Sequence, residues 1–201
     1  MTTKWNPDNI WPGATVAILG AGPDMTEELA LTAKGHKTIA VNRAVKFAPW
    51  AGMFVALDPH HPFWEEKDNA GFSGLCVCGI ECDIDAMYGG MFYERVGSIE
   101  IRNNALAALR IAMRSGARKI VLLGFDTERY EEVHASTGFH GLTEGLKQMI
   151  AEARTAGIEI EQIDSPVLRP GTRAPRRGEL VDVKTFPQVK AKPVDKGSKL
   201  V

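Results

Sequence analysis

Apolar residues along this chain come either in short unbroken runs or at four-residue spacing, and the two kinds of stretch alternate. The run Thr15–Ala21, TVAILGA, predicts a strand buried on both faces. Met25, Leu29 and Ala33 then recur every four residues and predict a helix over Met25–Lys34. Lys37–Asn42 and Met53–Asp58 predict a second and a third strand, with a short helical stretch between them that ends before Pro49. Leu75–Cys78 predicts a short fourth strand and Ser98–Ile101 a further one. Asn104–Gly116 reads as a helix with Leu106, Leu109, Ile111 and Met113 among its apolar positions, Arg114 near its negative end and Gly116 as its stop. Lys119–Phe125 is a strongly apolar strand, Leu142–Ala156 a last long helix stopped by Gly157, and Ile158–Ile163 the last strand.

This alternation predicts an α/β fold: a mostly parallel, Rossmann-like sheet in three layers, with helices on both faces. No internal repeat is visible. In such sheets ligands gather beyond the carboxyl ends of the strands, where the strand order reverses. The residues at those ends are Gly20–Asp24, Asn42, Asp58, Cys78–Gly79 and Gly124–Asp126, a set rich in groups that bind polar ligands.

Composition adds a boundary. The 201 residues are 44% apolar, enough for one core, which is assigned to residues 1–168. From Arg169 onward nine Lys/Arg face three Asp/Glu, a balance of +6, whereas the preceding residues carry fifteen against twenty-two, or −7. The segment 169–201 also holds Pro170, Pro175, Pro187 and Pro193, so it is expected to be a basic tail that orders only against a partner. That partner is expected to be a second copy of the chain or a virion component; nucleic acid is the less favoured choice. No run of eighteen apolar residues and no secretory pattern occurs, so no membrane association is expected. Three cysteines, Cys76, Cys78 and Cys82, suit a reducing compartment, the cytoplasm. Their C-x-C-x3-C spacing favours buried thiols over a zinc site, and the adjacent His60 and His61 beside Asp58 point oppositely, so no metal centre is expected.

The candidate chemistry begins at Gly20-Ala21-Gly22-Pro23-Asp24. Glycines after a strand let the backbone approach an oxyanion, with the next helix start facing it. Asp24 is placed to cap that helix, with Glu27 completing a capping box. The loop is neither G-x-G-x-x-G nor a Walker loop. Asn42 can read a base or a sugar hydroxyl, and Asp58 can hold a ribose or a divalent cation; beside a glycine loop the two suggest a nucleotide site. Asn103 and Asn104 precede the central helix, either as caps or as part of a positive helix end, with Arg102 alongside. Asp126 ends a strand, and the long polar loop after it carries His134 and His140, either of which would serve as a general base.

The segments AILGAGPDMTEEL, TIAVNRAVKFAPWAGMFVALD and RNNALAALRIAMRSGARKIVLLGFD together resemble the sialyltransferase-like superfamily with a modified Rossmann fold. That group includes bacterial CMP-sialic-acid-dependent sialyltransferases, and it is similar to archaeal 6-hydroxymethyl-dihydropterin pyrophosphokinases and to phage and prophage proteins of about this length. The resemblance runs from Thr15 to about Ile163. It implies that Gly20, Gly22, Pro23 and Asn42 hold a CMP portion, that Asn103-Asn104-Ala105 contact the donor, and that His140, in GFHGLTEG, is the catalytic histidine. Asp24 replaces the family's serine and Ala105 its glycine.

The resulting expectation is a nucleotide-dependent transferase, glycosyltransferase-like, using a CMP-sugar or similar donor. Gly20, Gly22, Pro23, Asp24, Asn42, Asp58, Asn103 and Asn104 would bind the nucleotide, and His140 and Asp126 would carry catalysis. One alternative is diphosphate transfer from ATP with Mg2+ on Asp58 or Asp126. The other is a non-catalytic nucleotide-binding or virion-associated protein, acting in the host cytoplasm if phage-encoded.

Overall fold

The computed structural model describes residues 6–22, 25–58, 62–79, 89–91, 95–96, 99–100, 103–125 and 142–163. The strands are β1 (Thr15–Leu19), β2 (Lys37–Val41), β3 (Met53–Val55), β4 (Leu75–Cys78), β5 (Gly89–Met91), β6 (Arg95–Val96), β7 (Ile99–Glu100), β8 (Lys119–Leu123) and β9 (Glu159–Ile163). The helices are α1 (Glu27–Leu31), a 3-10 helix (Asn42–Lys46), α2 (Phe63–Asn69), α3 (Asn104–Arg114) and α4 (Leu142–Thr155). Seven strands form one sheet in the order β5-β4-β3-β2-β1-β8-β9, and every pairing in it is parallel. The chain builds outward from β1 to β5, then returns to the other side of β1 as β8. The fold is therefore α/β, with its switch point between β1 and β8.

Alternate residues of each strand feed opposite layers, as strand geometry requires. Val16, Ile18, Ile39, Val41, Met53, Val55, Ile120 and Leu122 pack with α3 and α4 on one face. Ala17, Leu19, Ala40, Phe54, Val121 and Leu123 pack with α1, the 3-10 helix and the aromatic side of α2 on the other. Because both faces are covered, the central strands read as unbroken apolar runs. The edge strand β9 is more polar: Glu159 and Glu161 are exposed, and Lys119 of β8 pairs with both, at 2.8 and 2.7 Å.

Helix α3 is fixed along its whole length. Asn103 caps it, its side chain accepting from the amides of Ala105 (2.8 Å) and Leu106 (3.2 Å). Residues 6–14 lie against its far end, where the amides of Asn9, Trp11 and Gly13 donate to the carbonyls of Arg114, Ser115 and Gly116. The Arg114 guanidinium holds Asp8 and Asn6 in the same strap. Gly116 leaves the helix at φ +82°, a left-handed turn that the stop requires. Midway, buried Arg110 makes a two-pronged bond to Glu152 of α4, at 2.5 and 2.8 Å. Nearer the carboxyl edge of the sheet, α4 approaches so closely at Gly145 that a Cβ there would lie 2.9 Å from Leu106 Cδ1.

Several expectations change. The first helix is shorter than Met25–Lys34, although Met25, Leu29 and Ala33 are all buried. Its N-cap is Thr26, whose hydroxyl accepts from Leu29 N at 3.1 Å, so the cap is two residues later than Asp24. The strand near Ser98–Ile101 exists as β7, but it pairs antiparallel with β6 outside the main sheet. Helix α2 and strand β5 have no counterpart in the apolar pattern. The sequence of α2, FWEEKDN, is mostly charged, and GGM has little strand character. No helix among the described residues is long and apolar enough to cross a membrane. The tail 169–201 lies outside the described residues.

The Arg110 bond holds the Glu152 carboxyl below its ordinary value of 4.5, against a smaller opposing effect of burial. A lowered carboxylate pKa gives stability that is complete above the unfolded value and is lost as pH falls through the folded one. Glu152→Gln should therefore lower the melting temperature at pH 7, by the equivalent of about 1 kcal/mol because the half-exposed carboxylate is screened. The gap between variant and parent should close as pH drops below 4.5. Thermal melts of both proteins across pH 3–8 (a range of roughly five units around the carboxylate pKa) check this.

Candidate functional site

The carboxyl ends of β1, β2, β3 and β8 meet along one edge of the sheet, around the switch point. Here β1 and β8 are drawn together beyond their last registered pair, Leu19↔Leu123. Gly20 N donates to Leu123 O at 2.7 Å, and Gly22 N to Gly124 O at 3.1 Å. A Cβ on Gly20 would lie 2.6 Å from Gly124 O, which only glycine avoids. Gly124 itself sits at φ +69°, and a Cβ there would lie 2.6 Å from Met25 Cε. Met25 occupies the place of the third glycine in a dinucleotide fingerprint, and its side chain is buried. The two loop glycines thus serve the approach of β1 to β8, and their own N–H groups are used in it. Pro23 and Asp24 lie outside the described residues.

Next along the edge, the end of β2 turns sharply. Asn42 adopts φ 53°, a left-handed conformation that asparagine tolerates better than most residues. Its Oδ1 accepts a hydrogen bond from Asn104 Nδ2 at 2.7 Å. Asn104 Oδ1 in turn accepts from the backbone N of Leu57 at 2.7 Å. One amide side chain at the start of α3 therefore fastens the turn after β2 to the turn after β3. With its oxygen so engaged, Asn42 can present the NH2 edge of its amide to a ligand. The Asn103-Asn104 pair divides its work: the first residue caps the helix and the second joins the strand ends.

Asp58 follows Leu57 directly and is exposed. Its carbonyl accepts from Trp64 Nε1 of α2 at 2.9 Å. The Trp64 ring stands edge-on to Phe54 of β3, with centroids 5.2 Å apart and planes at 87°. Trp64 thus anchors the backbone of a candidate ligand-binding residue, a role no local motif announced. At the end of β4, Gly79 N donates to Leu57 O at 3.1 Å, continuing the backbone links along the edge.

Cys76 and Cys78 are buried thiols outside any disulfide, as the C-x-C-x3-C spacing favoured. Burial pushes the Cys76 thiol up to about 11, so it stays protonated and unreactive at neutral pH. No cluster of three or more His, Cys, Asp or Glu side chains able to hold a metal occurs among the described residues. Cys82, His60, His61, Arg102, Asp126, His134 and His140 lie outside the described residues.

No family model and no curated protein sequence matches the chain. Among solved structures, a probable thiamine pyrophosphokinase from Staphylococcus saprophyticus subsp. saprophyticus is similar, with a TM-score of 0.43 and 13% identity. The match covers 75% of this chain and 65% of that protein, so the chain spans less than two thirds of its length. The comparisons do not show the sialyltransferase or phage resemblance expected from the sequence motifs.

The geometry ranks the edge residues by structural cost. Gly20→Ala should destabilise by about 1–3 kcal/mol, the usual range for an added group with no room. Asn104→Ala should cost about 1–3 kcal/mol by leaving Leu57 N without its acceptor. Asn103→Ala removes a helix cap and should cost about 1 kcal/mol. Denaturant melts of the three variants check this; Asn104→Ala at parental stability would mean that its amide bridges little.

Proposed function

We propose that this protein is a nucleotide-dependent group transferase whose nucleotide lies across the carboxyl edge of β1, β2, β3 and β8. The observation that carries the proposal is the Asn42–Asn104–Leu57 chain of hydrogen bonds, which gathers three separate segments beside the switch point. That is where an open parallel sheet admits a ligand. A neutral amide network suits a base or a sugar hydroxyl, because it supplies directional donors without the desolvation cost of a buried charge. In this reading Asn42 and Asp58 orient the nucleoside, Asn104 holds Asn42 in place, and Gly20 and Gly22 shape the floor.

The donor is a nucleotide-linked group, with a CMP-sugar favoured by the sequence resemblance. His140 takes the proton from an acceptor hydroxyl, since an alcohol is a poor nucleophile until that proton is leaving. Asp126, three residues beyond β8, lies near enough in sequence to the edge to orient the histidine or the donor. A non-catalytic nucleotide-binding role is the second reading. It is favoured by the engagement of both loop glycine amides with β8, which removes two donors that a phosphate would otherwise use.

Calorimetry with CMP, CTP, ATP, GTP and nucleotide sugars, each with and without Mg2+, tests the first step. At least one should bind the parent chain, and Asn42→Ala should weaken it by about tenfold, the loss of one good hydrogen-bonded contact. No binding by any of them would overturn the proposal. Where transfer is then found, His140→Ala should lower kcat about a hundredfold or more and leave nucleotide affinity nearly unchanged. A silent His140→Ala in an active preparation would remove His140 as the proposed base, whereas nucleotide binding with no transfer to any acceptor would favour the second reading.

A further inference from the structure

The end of β2 carries positive charge where many nucleotide-binding sheets carry a carboxylate. In dinucleotide folds the residue at this place, about twenty positions after the glycine loop, reads the ribose: an acid binds its hydroxyls, and an arginine accommodates a ribose phosphate. Here the sequence after β2 is Asn42-Arg43, twenty-two residues beyond Gly20 at Asn42, with Lys46 one turn further along the 3-10 helix.

These two cations are held by the neighbouring helix. Glu66 of α2, itself largely buried, reaches Arg43 Nε at 3.4 Å and Lys46 Nζ at 2.9 Å through the same oxygen. Arg43 also lies over the Phe63 ring, 5.9 Å from its centroid. One carboxylate against two cations leaves a net charge of +1. The carboxylate takes Arg43 by its Nε, which leaves the forked Nη1 and Nη2 end as the part that suits a phosphate. Both side chains remain accessible, Arg43 at 65% and Lys46 at 49% exposure. Glu66 thus meets the Arg43 guanidinium at Nε and Phe63 lies below its Cζ, while the left-handed turn at Asn42 sets the Arg43 backbone at the edge.

From this geometry we infer that Arg43 and Lys46 form an anion subsite selecting a nucleotide with a phosphate monoester on the 2′- or 3′-oxygen of its ribose. The inference rests on the nucleotide reading above and adds the class of ligand. It assigns recognition of charge to side chains at the end of β2, whereas the Asn42–Asn104 network serves the neutral part of the nucleoside.

The test is calorimetry of the full chain with adenosine 5′-monophosphate, adenosine 2′,5′-bisphosphate and adenosine 3′,5′-bisphosphate, and the matching cytidine series. The parent should bind one bisphosphate about tenfold or more tighter than its 5′-monophosphate, the scale of a charge-assisted pair. Arg43→Gln and Lys46→Gln should each reduce that preference, and the double variant should bring it to within about twofold; Arg43→Lys should restore part of what Arg43→Gln loses. Because the variants take cation partners from the largely buried Glu66, their melts are measured alongside, and a lost preference in a chain that remains folded reports on recognition. Monophosphate and bisphosphates binding equally would overturn the subsite and leave the nucleotide reading standing. A preference that survives in the double variant would overturn the assignment to Arg43 and Lys46. Absence of binding by all of these nucleotides would overturn the subsite, and the wider screen would then decide whether the nucleotide reading falls with it.

Discussion

The pairing of β1 with β8 is the constraint on which the rest of the molecule depends. Five parallel residue pairs, from Thr15↔Lys119 to Leu19↔Leu123, join segments about a hundred positions apart in the chain, and every other strand of the main sheet is added outward from that seam. The seam continues past the strands only because residues 20 and 124 are glycines: one has no room for a Cβ against a carbonyl, and the other adopts a left-handed φ. Such non-local pairing is entropically expensive to nucleate, since the intervening chain must close before the contacts reward it. It also creates the crevice in which a ligand of this fold is received.

Helix α3 transmits the order of that seam to the candidate site. It packs beneath β1, β2 and β3, joins α4 through Arg110 and Glu152, and is strapped at its carboxyl end by residues 6–14. A helix held at three places has little freedom to slide, so its first residue can carry a precise hydrogen-bonding task. Asn104 uses that fixity. Its partners are the backbone of Leu57 and the side chain of Asn42, which belong to different strand ends. An amide that accepts from one turn and donates to the other favours one arrangement of the two, and rigid support of this kind is what a binding constellation requires.

What the sequence disclosed follows the same physics. The central strands were legible because a parallel sheet covered on both faces demands apolar runs, and Thr15–Leu19, Leu75–Cys78 and Lys119–Leu123 meet that demand. Helix α2 was not legible: Trp64 and Phe63 are its apolar anchors, Lys67 is buried beside Trp64 and paired with Asp68, and no periodicity marks such an arrangement. The pattern NN before a helix offered a capping role, which Asn103 fills, but not the joining of two strand ends that Asn104 performs. The division could not be read locally, because the partners of Asn104 lie 47 and 62 positions away. The capping position of Asp24 was likewise displaced to Thr26, since the chain must first turn at Gly22, where Met25 N bonds to Gly22 O, before a helix can begin.

The glycine loop itself departs from the sheet that a dinucleotide fold would supply. There the loop amides and the start of a long helix together receive the pyrophosphate. Here two of the loop amides are spent on β8, α1 has five residues, and Met25 fills the space where a third glycine lets helix and strand close up. A short helix has a correspondingly small dipole to offer an anion. Charge recognition at this edge is then assigned, on the reading proposed above, to flexible side chains instead of backbone. Arg43 and Lys46 are the cations that the described structure holds at the end of β2, and they are steadied by Glu66 from a helix that the apolar pattern does not announce. An anion site made of side chains is selective in a way that a backbone cradle is not. It can be placed away from the diester linkage, toward the sugar, and its charge can be altered by single substitutions without disturbing the seam that holds the sheet together.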